Sequence, residues 1–194
     1  MSSLNDTIGG ANLIGSGYSF TFDMFCNSNS AIYVNRSYLQ APSGVYFSGD
    51  FTMIAWIYLK SYQLNSSIIN FGNGNHTDNI MLALGISDWF LQAKLHYNSS
   101  AVSELQIGSA IFNLNQWYHI SYVLGGTTHS IYVNGIQVVN GTTVYVPRNV
   151  NRSTNYIGAG NDVVIGELKI YQIALSTAQI FSDFTTSSNN GTLF

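Results

Sequence analysis

Residues 51–58 read Phe-Thr-Met-Ile-Ala-Trp-Ile-Tyr, and this stretch decides the class of fold. In an extended strand, successive side chains point to opposite faces, so positions 51, 53, 55 and 57 share one face. The positions between them, which include Ile54 and Trp56, form the other face. Because both faces carry apolar residues, we predict that Phe51–Lys60 is a strand at the centre of a sheet.

Similar short runs of aromatic and β-branched residues follow one another along the chain, separated by Asn, Gly and Ser. They recur about every 8–12 residues, which is typical of a sandwich or barrel rather than of alternating strands and helices. The other predicted strands are Tyr18–Asp23, Ala31–Val34, Tyr38–Ala41, Ser67–Phe71, Ile80–Leu84, Trp89–Tyr97, Glu104–Ile107, Trp117–Leu124, His129–Val133, Ile136–Val139, Tyr156–Gly158 and Gly166–Ile173.

Two local signals mark a hairpin and a helix. Asn134-Gly135 separates two strand patterns, and this dipeptide favours the type I′ turn, which needs positive φ at both central residues. Ser176–Phe184 is the one segment with a helical pattern. Ser176 is the predicted N-cap, and Gln179, three residues later, completes a capping box.

Four segments of the chain carry motifs that occur together in one domain family. They are Phe51–Ile57, Asn115–Ile120, Ile131–Gly135, and Gly166–Tyr171 followed by Ala174–Ser176 and Gln179–Ile180. Their patterns, F-T-x-x-A-W-I, x-x-W-Y-H-I, I-Y-V-N-G and G-x-L-x-I-Y followed by A-L-S-x-x-Q-I, resemble those of laminin-G-like domains of the concanavalin A-like lectin/glucanase superfamily. The last pattern has a shorter spacing before its tyrosine than is usual in the family. The resemblance implies an all-β fold, a two-sheet antiparallel jelly-roll sandwich with one short C-terminal helix.

The length of the chain, 194 residues, is enough for one well-buried core. We predict one jelly-roll domain over residues 18–186. Residues 1–17 form an N-terminal tail that either adds a strand to its own sheet or contacts another subunit, and residues 187–194 form a C-terminal tail. Both tails are rich in Gly, Asn and Ser and would not order by themselves, so we expect that something holds them in place.

The composition excludes two classes of partner. Charged residues make up 8% of the chain, against about 25% in an average soluble domain, and the net charge is −3. The six basic residues are scattered, so no basic stripe for nucleic acid exists. No apolar run approaches the roughly 18 residues of a membrane-spanning helix, so we predict no membrane partner.

Catalysis is not expected, although some domains of this superfamily are glycosidases. Those enzymes need two carboxylates across the scissile bond, and no strand carries an alternating pair of acids. No G-x-S-x-G nucleophile motif occurs, and the four histidines show no zinc-ligand spacing. The nine acidic residues are Asp6, Asp23, Asp50, Asp78, Asp88, Glu104, Asp162, Glu167 and Asp183. We predict a non-enzymatic domain.

Related domains often hold one structural calcium ion, and the resemblance makes Asp23 and Asp162 the candidate ligands here. The alternative, which we favour, is that both are solvated turn residues. A sugar site needs an exposed aromatic ring beside polar side chains. The candidates are Trp89, Tyr97, Tyr62, Asn73 and Asn75. For Trp89, packing in the core is the favoured alternative, and Trp56 and Trp117 are predicted to be core residues.

Eight N-x-S/T sequons occur, about twice the number that the composition alone would give. They lie at Asn5, Asn35, Asn65, Asn75, Asn98, Asn140, Asn151 and Asn190. All eight fall at turns or tails of the predicted strand map, where a bulky glycan can be accommodated. We therefore predict an extracellular glycoprotein. Met1 is followed by no charged or apolar leader, so either the protein stays inside the cell or a leader has been removed, and the sequons favour removal.

These observations leave two functional hypotheses. The first is a structural or adhesive protein that associates with itself through its tails into a fibre or coat, covered with glycans. The second is a lectin-type module that binds a glycan. Cys26 is the only cysteine, so it is either a buried free thiol or part of an inter-chain disulfide. No cofactor is expected apart from the candidate calcium.

Overall fold

The structure, a computed structural model, describes residues 3–6, 9–61, 63, 66–84, 91–107 and 111–189, with side chains described as far as residue 187. Within these residues the chain forms twelve β-strands and one α-helix, which confirms an all-β fold with one helix near its C-terminal end. The elements are β1 (Ile14–Thr21), β2 (Ala31–Ala41), β3 (Phe51–Ser61), β4 (Ser67–Gly72), β5 (Ile80–Leu84), β6 (Leu91–Asn98), β7 (Ala101–Gln106), β8 (Trp117–Gly125), β9 (Thr128–Val133), β10 (Ile136–Thr142), β11 (Thr154–Ile157), β12 (Asp162–Tyr171) and α1 (Thr177–Asn189).

The described strands pair antiparallel in one continuous order, β10-β9-β8-β3-β12-β2-β11-β4-β5-β6-β7, and β1 pairs with β2. The sheet curls until its terminal strands β10 and β7 come close to each other. A Cβ atom on Gly141 would lie 3.1 Å from Cδ1 of Leu105. This nearly closed shape encloses the main hydrophobic core.

Strand β3 lies between β8 and β12, as predicted for a central strand. Phe51 and Met53 point into the main core, together with the other residues of their face. On the opposite face, Ile54 belongs to a second cluster, and the Trp56 ring stacks 5.8 Å from that of Phe184 on α1. Both faces of β3 are therefore buried, because the curled sheet covers one and the helix covers the other.

Helix α1 begins as the sequence predicts. The Gln179 backbone N–H donates to Ser176 Oγ over 3.3 Å, and the Ser176 N–H donates to Gln179 Oε1 over 2.8 Å, which is the expected capping box. Ile180 is fully buried against the outer face of the sheet. The helix continues to Asn189, five residues beyond the predicted end at Phe184.

The prediction of two separate strands, Ala31–Val34 and Tyr38–Ala41, is wrong because they form the single strand β2. Arg36 takes a left-handed conformation with φ of 49°, which bends the strand without ending it. The bend changes the neighbour of β2 from β12, which pairs as far as Asn35, to β11, which pairs from Leu39.

Strand β1 begins at Ile14, four residues before the predicted start, and residues 14–16 pair with β2 of the same chain. It ends at Thr21 because Asp23 folds the chain into a turn. The Asp23 carboxylate accepts backbone hydrogen bonds from Phe25 and Asn27, at 2.9 and 3.0 Å. The predicted hairpin is confirmed, since Asn134 and Gly135 both have positive φ between β9 and β10.

Candidate functional site

An exposed tyrosine at the end of β6 lies against a second ring and a cation. We call these three residues, Tyr97, Tyr145 and Arg148, the Tyr97 platform. The Tyr97 side chain is 42% exposed, and its ring stacks on Tyr145 with centroids 6.1 Å apart and planes inclined by 21°. The Arg148 guanidinium carbon lies 4.4 Å from the Tyr97 ring centroid, in a cation–π contact. The platform therefore presents two rings and a cation side by side.

Asp78 fixes the position of Arg148. Its carboxylate accepts two hydrogen bonds of 2.7 Å, from Nε and Nη2 of the guanidinium. Such a bidentate pair fixes orientation as well as distance. The hydrogen bond to Asp78 raises the pKa of Arg148, so the guanidinium stays charged. Because Asp78 is buried at the end of the β4–β5 loop, the platform is anchored to the body of the sheet.

A second guanidinium, that of Arg152, lies fully buried beneath this cluster. It donates to the backbone carbonyls of Asp78 and Phe47, each over 2.9 Å. Burial lowers the pKa of Arg152, and the nearby Asp78 carboxylate partly offsets this effect. Arg152 thus holds together the segments that carry the platform and adds positive charge below it.

The β4–β5 loop, residues 73–79, forms one wall of the site. Asn75, His76 and Asp78 all have positive φ, so the loop turns tightly. The loop reaches β6 at two points: the Asp78 N–H donates to the Tyr97 carbonyl over 3.5 Å, and the rings of His76 and His96 lie 4.9 Å apart. Burial, followed by the neighbouring His76, lowers the pKa of His96. The loop therefore approaches β6 through His76 and Asp78, and Asp78 lies next to Tyr97.

Of the five predicted sugar-binding residues, Tyr97 belongs to the platform, whereas Asn73 and Asn75 lie on the β4–β5 loop and do not line the cleft beside Tyr97. Both asparagines are exposed, and Asn73 Oδ1 accepts a hydrogen bond from the Ser153 backbone. Tyr62 and Trp89 lie outside the described residues. The cleft beside Tyr97 has a volume of about 10 Å³, room for one water molecule, so a ligand would lie on the surface.

Sequence reasoning missed Asp78, Tyr145, Arg148 and Arg152 as members of the site. Asp78 and Arg148 are 70 residues apart in the chain, and no motif or spacing signals their pairing. Of the tryptophans predicted as core, Trp56 is buried under α1. Trp117 is only partly buried.

A larger groove, of about 360 Å³, opens between the β1–β2 loop, β12 and α1. Its walls include Asp23, Phe25, Glu167, Lys169 and Asp183. Asp23, one candidate calcium ligand, thus lies in this groove, with its carboxylate engaged in the turn described above.

Asp162, the other candidate calcium ligand, does not line this groove. Its carboxylate accepts hydrogen bonds from the Tyr33 and Ser61 hydroxyls, at 2.6 and 2.8 Å. Among the described residues, no three His, Cys, Asp or Glu side chains come together as metal ligands would. Calcium binding stays a prediction.

The floor of the groove is an ion-pair network that fastens α1 to the sheet. Lys169 Nζ contacts Asp183 over 2.8 Å and Glu167 over 3.0 Å, and Nε2 of the buried His119 lies 3.1 Å from Asp183. Burial would raise the pKa of Asp183, but hydrogen bonds from His119 and Lys169 outweigh it and lower the value. Burial acts against the charge of Lys169, yet its bonds to Asp183 and Glu167 leave its pKa raised.

The sequon asparagines that the structure describes are exposed, but two of them do not lie at turns as the sequence predicts. The asparagines described by the structure are all exposed: Asn5, Asn35, Asn75, Asn98, Asn140 and Asn151. Asn65 and Asn190 lie outside the described residues. Asn35 and Asn140 lie within β2 and β10 rather than at turns, because both strands extend further than their patterns predict. Cys26 is exposed and unpaired, so it is not a buried thiol.

A family model described as the concanavalin A-like lectin/glucanases superfamily matches residues 34–181, and the chain belongs to this superfamily. The matching family is that of laminin-G-type domains, which confirms the resemblance seen in the sequence. A search of curated protein sequences gives no match. Within the described residues, no helix has the length and hydrophobicity that a membrane crossing needs.

Solved structures with the same fold include domain 4 of AbnA, a GH43 extracellular arabinanase from Geobacillus stearothermophilus, in complex with arabinotriose. It aligns with a TM-score of 0.71 and 18% identity, over 93% of this chain and 92% of that one. The binding domain of botulinum neurotoxin serotype G gives 0.72 and 17%, over 98% and 50%. That of botulinum neurotoxin DC, in complex with SialylT, gives 0.71 and 15%, over 94% and 48%. The chain thus spans about half of each toxin chain, and at these identities the likeness shows the fold alone.

Proposed function

We propose that this chain is a non-catalytic carbohydrate-binding domain of an extracellular glycoprotein, with an adhesive or structural role, and that the sugar lies on the Tyr97 platform. The observation that carries the proposal is an exposed tyrosine that is held beside a second ring and a fixed guanidinium. Pyranose rings have apolar C–H faces that pack on aromatic rings, while their hydroxyls take hydrogen bonds from polar neighbours. Tyrosine combines an apolar ring with a polar tip, so it meets both needs.

The structural relatives support a sugar ligand, since domain 4 of the arabinanase was solved with arabinotriose and a toxin binding domain with SialylT. We propose a non-catalytic role because glycoside hydrolysis needs two carboxylates across the scissile bond. Among the described residues that line the cleft, Asp78 is the acid, and both its oxygens are bound to Arg148.

We also propose that the curled sheet forms the two stacked layers of a jelly roll. The bend in β2 supports this arrangement, because one half of the strand pairs with β12 and the other half with β11. The platform would then lie at the rim of the sandwich, on β6 and the loops beside it.

The test compares two exposed tyrosines. Tyr38 is 47% exposed and packs against Tyr156 at 4.8 Å, so Tyr38→Ala is a matched control for Tyr97→Ala. A glycan array selects a ligand, and calorimetry measures its affinity for each variant. We expect Tyr97→Ala to weaken binding by about tenfold or more and Tyr38→Ala to change it little. Absence of any bound glycan, or equal losses in both variants, would contradict the proposal.

Secretion and N-glycosylation remain proposals, supported by the exposure of the sequon asparagines that the structure describes. Expression through a eukaryotic secretory pathway, followed by mass spectrometry with and without a glycosidase, tests which sites are occupied. If treatment with the glycosidase leaves the mass of the protein unchanged, the proposed N-glycosylation is contradicted.

Self-association through the tails also remains a proposal. Residues 14–16 pair with β2 of their own chain, so a strand exchange by this segment would first have to break those pairs. Light scattering at high concentration, together with limited proteolysis of both tails, tests the idea. A monomer with protease-sensitive tails would contradict it.

A further inference from the structure

We propose that the Tyr97 platform selects sugars that carry a carboxylate, such as a uronic acid, over their neutral counterparts. This inference rests on the proposed function, because it names the class of sugar that the same site takes. It is carried by the exposed Arg148 beside the Tyr97 ring and by the buried Asp78 and Arg152 next to it.

The balance of charge at the site is positive. The whole chain has a net charge of −3 and only six Lys and Arg residues, yet two of these lie at the platform. Asp78 is the acid among the described residues that line the cleft. Two guanidinium groups therefore share one carboxylate in a chain that is otherwise acidic.

Arg152 supplies the uncompensated charge. Its guanidinium donates hydrogen bonds to backbone carbonyls, such as those of Asp78 and Phe47, whereas the Asp78 carboxylate is bound to Arg148. The side chain is fully buried, so water screens its charge poorly. Because Arg152 is buried and bonded to neutral carbonyls, its charge raises the positive potential at the cleft that it lines beside Tyr97.

Arg148 offers that charge to a ligand in a fixed geometry. Nε and Nη2 are bound to Asp78, and the guanidinium lies over the Tyr97 ring, so its orientation is fixed on two sides. The side chain remains 42% exposed. Tyr97 is a further side-chain hydrogen-bond partner of the guanidinium. Because a guanidinium carries five N–H donors, protons remain that can donate to a ligand carboxylate while the sugar ring contacts Tyr97.

Two matched glycosides isolate the carboxylate. Methyl β-D-glucuronide and methyl β-D-glucoside differ only at C6, where one carries a carboxylate and the other a hydroxymethyl group. We expect the wild-type chain to bind the glucuronide about tenfold more tightly at low ionic strength, with the difference shrinking in high salt. Potassium acetate at equal concentration serves as the anion control and should not displace the glucuronide.

Three variants locate the preference. Arg148→Gln should bring the affinities for the glucuronide and the glucoside within about twofold of each other. Arg148→Lys keeps the positive charge but loses the bidentate geometry of the guanidinium, so it should retain a smaller preference for the glucuronide. Lys60→Gln is the matched control, because Lys60 lies 4.2 Å over the Tyr33 ring in a cation–π contact at another place. It should leave the preference unchanged. If Arg148→Gln does not fold, the Arg148→Lys result decides.

The outcomes separate this inference from the proposed function. If neither glycoside nor any array glycan binds, the carbohydrate-binding function itself fails. If both glycosides bind equally, if acetate competes as well as the glucuronide, or if Lys60→Gln lowers the preference as much as the Arg148 variants, only the carboxylate selectivity is overturned. An unchanged preference in Arg148→Lys and Arg148→Gln overturns it as well.

Discussion

The carboxylate of Asp78 and the guanidinium of Arg148 meet through two hydrogen bonds of 2.7 Å, although 70 residues separate them in the chain. This pair joins the β4–β5 loop to the segment that follows β10 and holds Arg148 against the Tyr97 ring. An exposed tyrosine would otherwise lose conformational entropy on binding a ligand, and a prearranged neighbour reduces that cost.

The packing of α1 on the outer face of the sheet is tested by two adjacent residues. Ile180 is fully buried in the second hydrophobic cluster, whereas Phe181 is 51% exposed. We expect Ile180→Ala to lower the free energy of unfolding by about 3 kcal/mol and Phe181→Ala by less than about 1 kcal/mol. Urea unfolding followed by tryptophan fluorescence measures both. Equal effects would mean that the helix does not pack through Ile180.

The pH dependence of stability reports on Asp183. Since its pKa in the folded state lies below the value of about 3.9 for a free aspartate, the carboxylate stabilises the fold above that pH. The contribution is lost as the pH falls through the lower folded-state value. We expect Asp183→Asn to lower stability by about 1 kcal/mol at pH 7 and to flatten the decrease in melting temperature below about pH 4.

The exposed Asp50, whose carboxylate accepts a hydrogen bond from the Gly126 backbone, gives the control variant Asp50→Asn. That variant should keep the acid-side decrease of the wild type. A profile for Asp183→Asn that follows the wild type throughout would show that the network with His119 and Lys169 adds no stability.

The contact between the β9–β10 turn and α1 is tested at Gly135 of that turn. Gly126, which has positive φ in the β8–β9 turn, is the control. A Cβ atom on Gly135, with φ of 76°, would lie 3.0–3.2 Å from atoms of Phe181 and Phe184, whereas Gly126, with φ of 59°, has nothing within 4 Å. Gly126→Ala therefore measures backbone strain alone, about 1 kcal/mol, and we expect about 2–3 kcal/mol for Gly135→Ala. Thermal unfolding compares them, and equal losses would argue against contact between the turn and α1.

The edge of β10, which approaches β7 near Gly141 but forms no ladder with it among the described residues, is tested through its sequon. In the described structure β10 pairs only with β9, and Ile136–Thr142 contains no charged residue and no proline, features that leave an edge open to association. Ile136 and Val138 are 65% and 41% exposed, and Asn140 lies on the same strand. In material from a eukaryotic secretory host, we expect Asn140→Gln to self-associate at high concentration by light scattering.

Asn151→Gln is the matched control for this prediction, because Asn151 is an exposed sequon outside the strands. It should lose one glycan by mass spectrometry and remain monomeric. Adding Val138→Lys to the Asn140→Gln chain should restore the monomer, since a charge on an edge opposes pairing. A monomeric Asn140→Gln chain would show that a glycan there does not guard the edge.

Most of the fold follows from local sequence. The alternation in Phe51–Lys60, the turn at Asn134-Gly135 and the capping box at Ser176 each depend on neighbours a few residues apart, and all three are confirmed. The bend in β2 escaped prediction because a strand continues through Arg36 in a conformation that non-glycine residues seldom adopt.

The candidate site was only half predictable. Tyr97 and the β4–β5 loop stand out as an aromatic residue and a polar loop, but their partners Tyr145 and Arg148 follow a strand far along the chain. Pairing across that distance depends on how the sheet curls, because β7 and β10 approach each other only in the folded chain. No spacing in a single sequence records that approach.

The measurement that tests the central claim most directly is where a bound sugar lies. Amide chemical shifts of isotope-labelled protein, followed as an array-selected glycan is added, map the contact. We expect shifts centred on Tyr97, Tyr145, Arg148 and residues 73–79. Shifts confined to the groove beside Asp23 and α1, or no shifts with any glycan, would contradict the central claim.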